Sequence, residues 1–315
     1  MCLSIDQVKN FLFSRVKHFA KNINMSDDCK GMSLSDAMQR LWELDANRIA
    51  PGTLYSLNVQ SGKKPYWKED KATEPLFEKF NKDELFSDDR PTFKTFHQLL
   101  DNYTSETGQA EVVTNEERRE TWAFLDAIME TGPMQFCHTY CKANAKNPQD
   151  IPDDESGFKR LLHNMWFKLY HRSRGGRADS SGFEHVFIGE VKDGDVSGFH
   201  NWIQLALEEE QGELDYRGYI KPRGSSEAEA DHNDHLLTLQ FRWNGIEKFM
   251  TSCFIGTSPE FEVAVYTICF LCGEKENEIT LRTGTDVFQV KIKCYSMARD
   301  KIGTAYPEVM YHEEE

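Results

Sequence analysis

The sequence predicts an α+β protein in which a helix-rich N-terminal half packs on a β-rich C-terminal half built from antiparallel sheets. Three observations carry this expectation. Apolar residues in the first half recur every three or four positions, the period of a helix face. After Gly182 the pattern turns strand-like. Between two such stretches lies Asp193-Gly194, a residue pair suited to a two-residue hairpin turn, where both positions take positive φ.

Taken in order, Ile5, Val8, Leu12, Val16 and Phe19 form one face of a first helix. A second opens near Ser35, carries Met38, Leu41 and Trp42 towards Arg48, and is stopped by Ala50-Pro51-Gly52. Gly62 to Pro91 is polar and lacks apolar periodicity, so it is expected to be a long surface connection. Thr114-Asn-Glu-Glu117 is a capping box that opens a helix through Trp122, Leu125 and Ile128. The polar stretch Lys142 to Glu155 places a soft boundary between a helix-rich region, 1–155, and a catalytic region, 156–315. A helix follows through Phe158, Leu161, Leu162, Met165, Trp166 and Leu169. Strands are expected at Glu184–Val191, Leu236–Trp243 and Asp286–Cys294, with a helix from Asn201 to Glu210.

The chain has 315 residues, enough for one large or two ordinary domains. Its 37 basic and 52 acidic side chains give a net charge of −15. That balance argues against a general nucleic-acid binder, since neutralising phosphates supplies much of such affinity. An RNA site here must be a local basic patch on an acidic body. No apolar run approaches the ~18–20 residues of a membrane span. The N-terminus lacks the basic and apolar regions of a signal peptide, which favours a cytoplasmic location, with secretion expected only after processing. Eight scattered cysteines are read as mostly reduced thiols.

The most informative stretch runs from His171 to Trp202. A turn at Asp193-Gly194 pairs Val191 with Val196 and Gly189 with Gly198, which sets His185 and His200 on one sheet face as diagonal neighbours. Two adjacent imidazoles suit three roles: metal ligation, a structural contact, or an acid–base pair working near neutral pH. The residues alone leave all three open.

Here the sequence resembles the EndoU family of endoribonucleases. Gly182-Phe-Glu-His-Val-Phe-Ile-Gly-Glu190 followed by Gly198-Phe-His-Asn-Trp202 looks like its paired-histidine signature. The likeness continues through Asp45-Ala-Asn-Arg48, Leu100-Asp-Asn-Tyr103, Phe124-Leu-Asp-Ala-Ile128, Trp166-Phe-Lys-Leu-Tyr-His171, Phe254 to Glu262 and Gly303-Thr-Ala-Tyr306. It spans nearly the whole chain after about the first 30 residues. It implies an EndoU-like fold and cleavage of single-stranded RNA at uridines, leaving 2′,3′-cyclic phosphate ends.

Carried over by position, the resemblance makes His185 and His200 the acid–base pair and Lys248 the third catalytic residue. Attack by a ribose 2′-OH needs a base, an acid for the departing 5′-oxygen, and a fixed cation beside the phosphorus. His200 is assigned as base because a helix begins just after it, and a helix N-terminus disfavours imidazolium. His185 is then the acid. Glu184 and Glu190 match supporting glutamates, and strand alternation turns both away from His185. Ser252 and Tyr306 match uridine-contacting positions, with Thr304 a candidate for the same pocket. Arg172, Arg174 and Arg177 form a basic loop suited to phosphates, which Lys221 and Arg223 extend.

The resemblance also implies a divalent cation, calcium or manganese, as an activator that the catalytic set itself does not require; the metal-binding residues stay unknown. Cys269-Phe-Leu-Cys272 has zinc-like spacing without a second pair and is read as core thiols. Asp231-His-Asn-Asp-His235 is read as a polar loop. Asn24-Met-Ser26 and Asn102-Tyr-Thr104 match the glycosylation pattern, which three residues reach often by chance. The expected partner is single-stranded, uridine-containing RNA, and the expected state a monomer. Two readings compete with the nuclease: a non-catalytic RNA-binding protein on the same fold, and a histidine-based metallohydrolase.

Overall fold

Helix α1 (Leu34–Leu44) starts where Ser33 accepts a hydrogen bond from the Asp36 amide, and it buries Ala37, Met38, Leu41 and Trp42. It stops short of Arg48 because Asp45 leaves the helical conformation and turns its carboxylate inward to accept from the Ser258 amide at 3.3 Å. The computed structural model that shows this describes residues 29–103, 107, 113–172, 178–221, 235–283 and 286–310. The helix expected over Ile5–Phe19 lies outside these residues, as do Arg174, Arg177, Arg223 and positions 231–234 of the polar loop.

Strands β1 (Tyr55–Leu57) and β2 (Phe77–Phe80) form a small antiparallel sheet. With α2 (Lys82–Leu85) they show that the stretch expected to be a plain surface connection carries regular structure. Helices α3 (Pro91–Gln98), α4 (Asn115–Met129), α5 (Gly132–Asn144) and α6 (Glu155–Trp166) follow. The capping box opening α4 forms as expected, with Glu117 N donating to Thr114 Oγ1 and Thr114 N to Glu117 Oε2.

The second half contains two three-stranded antiparallel sheets. One is β5 (Leu214–Tyr219), β6 (Leu236–Trp243) and β7 (Ile246–Phe254); the other is β8 (Glu276–Thr283), β9 (Asp286–Ala298) and β10 (Lys301–Met310). Between them comes α8 (Pro259–Cys272), buried on every side from Pro259 to Cys269 and packed on α1, α5 and β9. Cys269 and Cys272 lie along this helix, and the described cysteines are all free thiols. β10 packs against β7, so the two sheets meet along one line. A contiguous apolar core runs from Cys29 to Ala305 and joins both halves.

The segment expected to be a strand at Glu184–Val191 is a short helix for most of its length. It begins at Gly182, widens into a π-turn over Glu184–Ile188, and only Glu190–Lys192 is strand, β3. Ser181 explains the start: its Oγ accepts from Glu184 N at 3.1 Å, while Glu184 Oε2 accepts from Ser181 N at 3.2 Å. Phe183 and Phe187, one turn apart, stack into an aromatic cluster with Phe96, Phe167 and Trp166. β3 pairs with β4 (Asp195–Ser197) through the expected turn, where Asp193 and Gly194 have φ of 54° and 84°. Val191 lies opposite Val196 as read from the sequence. Pairing stops at Glu190–Ser197, because Gly198 and Phe199 (φ 67° and 66°) turn the chain away before α7 (Trp202–Gln211).

Candidate active site

The two histidines are brought together by backbone, not by a sheet face. Phe199 N donates to His185 O at 3.0 Å and His200 N to Val186 O at 2.8 Å, so the turn after β4 is tied to the π-turn. The approach is so close that a Cβ on Gly198 would lie 1.8 Å from the His185 carbonyl oxygen. Glycine is required there for space as well as for its φ. Asn201 then caps α7, accepting from the Ile203 and Gln204 amides, while its Nδ2 donates to the buried Glu262 on α8 at 3.1 Å. His200 is thus anchored on both sides.

His185 and His200 open into a cavity of about 880 Å³ at the junction of the two sheets. Alternation along β7 brings Lys248, Met250 and Ser252 to its wall, and alternation along β10 brings Thr304, Tyr306 and Glu308. Of the residues singled out from sequence, the fold therefore gathers His185, His200, Lys248, Ser252, Thr304, Tyr306 and Lys221 around one space. Among the described residues of the lining, Lys221, Lys248 and Lys293 stand with one carboxylate, Glu308, a local basic lining within a chain of net charge −15.

Arg172 is not part of this lining, contrary to the phosphate-holding role read from the sequence. Its guanidinium is tied internally: Nε lies 3.0 Å from both Ser180 Oγ and Glu190 Oε2, and Nη2 donates to Tyr170 OH and Gly303 O at 2.5 and 2.7 Å. Glu190 also corrects an expectation. It does not turn away from His185; its Oε2 accepts from His185 Nδ1 at 2.7 Å, because the chain reverses at Gly189 after the π-turn instead of continuing a strand. Glu184, by contrast, holds the start of that helical segment.

The two imidazoles sit in different electrostatic settings. A carboxylate can only accept, so the Glu190 contact places a proton on His185 Nδ1 and favours the charged ring. His200 Nδ1 lies 3.1 Å from Ser252 O and 2.9 Å from Thr251 Oγ1. The Thr251 hydroxyl proton goes to Phe199 O at 2.8 Å, so both neighbours accept from Nδ1–H and the lone pair is left on Nε2. Burial pulls the His200 pKa well below 6.5, and Lys248 and His185 push it further down. Burial lowers His185 too, with the Glu190 hydrogen bond opposing the shift. Lys248 donates to Val196 O at 2.9 Å, and burial brings its pKa down to about 8.

Beside His200, on paired positions of β6 and β7, Thr238 Oγ1 and Ser252 Oγ are 2.8 Å apart and share a hydrogen bond. The Tyr306 ring stacks on His200 with centroids 4.5 Å apart and 14° between planes. Thr238, Thr251, Lys293 and Tyr66 are cavity residues the sequence reading did not single out. Among the described residues no group of three or more His, Cys, Asp or Glu side chains is arranged to hold a metal ion.

Comparison with known proteins decides the family. The model of the endoribonuclease XendoU family matches residues 33–307. The chain belongs to the XendoU family. It is 44% identical to uridylate-specific endoribonuclease C of Danio rerio over 90% of this chain and 91% of that protein. It is 42% identical to poly(U)-specific endoribonuclease-A of Xenopus laevis over 88% and 94%. A solved structure of XendoU, described as a splicing-independent snoRNA-processing endoribonuclease, superposes with a TM-score of 0.74. It shares 40% identity and covers 90% of this chain and 98% of its own. Family membership makes the chain an endoribonuclease, which sets aside the non-catalytic reading. It also agrees with the α+β architecture. No described helix is long and apolar enough to cross a membrane.

Proposed function

We propose that this cavity cleaves single-stranded RNA at uridine by attack of the ribose 2′-oxygen on the adjacent phosphorus, leaving a 2′,3′-cyclic phosphate. The observation that carries the proposal is the unequal support of the two imidazoles. His200, kept neutral with Nε2 free, takes the proton of the 2′-OH. His185, whose charged form Glu190 favours, protonates the departing 5′-oxygen. Lys248 supplies positive charge to the phosphorane as its oxygens gain charge. Ser252, its hydroxyl oriented by Thr238, bonds a uracil carbonyl, and Tyr306 and Thr304 complete the base pocket.

The test is an oligonucleotide with one ribouridine in a deoxyribose background, cut by the purified protein and analysed for end groups. A cyclic-phosphate product that disappears with 2′-deoxyuridine, and that falls by about 10²–10⁴ in rate with His200→Ala, is the expected result. Cleavage of the all-deoxy strand would refute the mechanism. Activation by calcium or manganese is read in the same assay against chelator; the roles assigned to His185, His200 and Lys248 route no step through the ion.

A further inference from the structure

The cavity has a wall that the roles above leave without a task. It comes from the N-terminal half, where Pro65 and Tyr66 face the catalytic groups. Tyr66 is 63% exposed and its neighbour Trp67 46% exposed, so two large aromatic side chains stand in solvent beside a polar, lysine-bearing opening. Met250, 42% exposed, lies on the same cavity wall as Lys248 and Ser252. Isolated exposed aromatics are ordinary, whereas an aromatic pair held at the mouth of a catalytic cavity is a feature to explain.

The segment is firmly held. Lys63 N donates to Tyr219 O and Lys221 N to Lys63 O, which pins the chain to the end of β5. Further on, Lys71 N donates to Arg217 O, and Asp70 pairs with Arg217, closing the loop on the same strand. The buried Lys63 side chain reaches across to Glu69 O at 2.8 Å. Within this frame Tyr66 has φ of 62°, a left-handed conformation unfavourable for a bulky residue. The ring lies 6.2 Å from Phe249 on β7, and Lys64 Nζ stands 5.6 Å from the Trp67 ring. A rigid turn thus holds a strained backbone and leaves its aromatic rings open to solvent, the arrangement of a stacking platform with a cation at hand.

We propose that Tyr66, flanked by Trp67 and Lys64, is a stacking subsite for the unpaired base of the nucleotide next to the cleaved uridine. The inference rests on the RNA-cleaving reading of the cavity. A strand whose uridine sits between Ser252 and Tyr306 must leave the cavity past one of its walls, and this wall offers an open π-face. Stacking is indifferent to base identity, so the subsite adds affinity for single-stranded RNA without adding sequence preference.

The test compares kcat/KM on a short oligouridine with that on uridine 3′-methyl phosphate, which has the scissile phosphate but no second base. Tyr66→Ala is expected to lower the oligonucleotide-to-minimal ratio by about 5- to 150-fold, while Tyr66→Phe, which keeps the ring, retains it. Affinity for an uncleavable oligonucleotide with 2′-deoxyuridine at the cleavage site should fall in parallel for Tyr66→Ala. An unchanged ratio and affinity, or equal loss with Tyr66→Phe, would overturn the subsite. Failure of the wild type to turn over either substrate would instead strike the cleavage mechanism, and the binding measurement would still decide the subsite.

Discussion

Replacing Glu190 by glutamine removes one negative charge from the centre of the His185 support while keeping the side chain's size. In the native protein Glu190 Oε2 sits 2.7 Å from His185 Nδ1 and 3.0 Å from Arg172 Nε, with its side chain fully buried and that of Arg172 10% exposed. Two effects follow. The guanidinium loses its buried carboxylate, which costs on the order of 3 kcal/mol of stability. His185 loses the partner that raises its pKa, so burial and the Arg172 and Lys248 charges act on it unopposed. Because the acid must carry a proton, and its pKa already lies below 6.5, a further drop moves the alkaline limb of kcat/KM to lower pH. The glutamine amide can also present N–H to Nδ1 and impose the wrong tautomer, a fault that costs a catalytic histidine roughly 10⁴ in serine proteases. A loss of about 10²–10⁴ in kcat/KM is therefore expected at neutral pH. The assay is cleavage of a fluorescent oligouridine from about pH 5 to pH 9, with thermal denaturation of the same samples to separate folding from chemistry. A well-folded variant within about tenfold of wild type, its alkaline limb unmoved, would refute the link between Glu190 and His185 protonation.

Three further outcomes are expected. Lys248 is charged below about pH 8 and loses its proton above it, so log kcat/KM should steepen by one unit of slope there; Lys248→Arg, charged throughout, should lack that second bend. Thr238→Val removes the hydroxyl that orients Ser252 and should reduce preference for uridine over cytidine roughly three- to tenfold, with Thr238→Ser restoring it; competition cleavage of mixed oligonucleotides measures this. Gly198→Ala places a Cβ 1.8 Å from the His185 carbonyl oxygen at φ +67°, so a loss of at least about 2 kcal/mol in denaturant unfolding is expected, along with activity. Unaltered stability in that variant would show the tie between the two histidine segments to be looser than described.

Where local chemistry dominates, the sequence was a good guide. The capping box at Thr114, the turn at Asp193-Gly194 and strand β6 all stand at their expected positions. The segment around His185 reads as a strand in the sequence but folds as a π-turn, because Glu184 to Ile188 are all buried, and a segment hidden on every side shows no period that separates helix from strand. α8, buried from Pro259 to Cys269, likewise shows no helical period in its sequence. His185, His200, Lys248, Ser252 and Tyr306 are marked by family resemblance, and the fold places them around one cavity. Thr251 and Thr238 matter only through partners 51 and 14 residues away, relations no local pattern records. Tyr66-Trp67 did carry a sign, an aromatic pair within a polar stretch.

The lines of β10 reach the cavity through Thr304 and Tyr306, while Gly303 O fastens the arginine behind Glu190. The strand is laid against β9 and β7, both made before it. During synthesis the earlier elements can fold as they emerge, yet a chain still lacking β10 has neither the cavity wall of Thr304 and Tyr306 nor the carbonyl that holds Arg172 against Glu190.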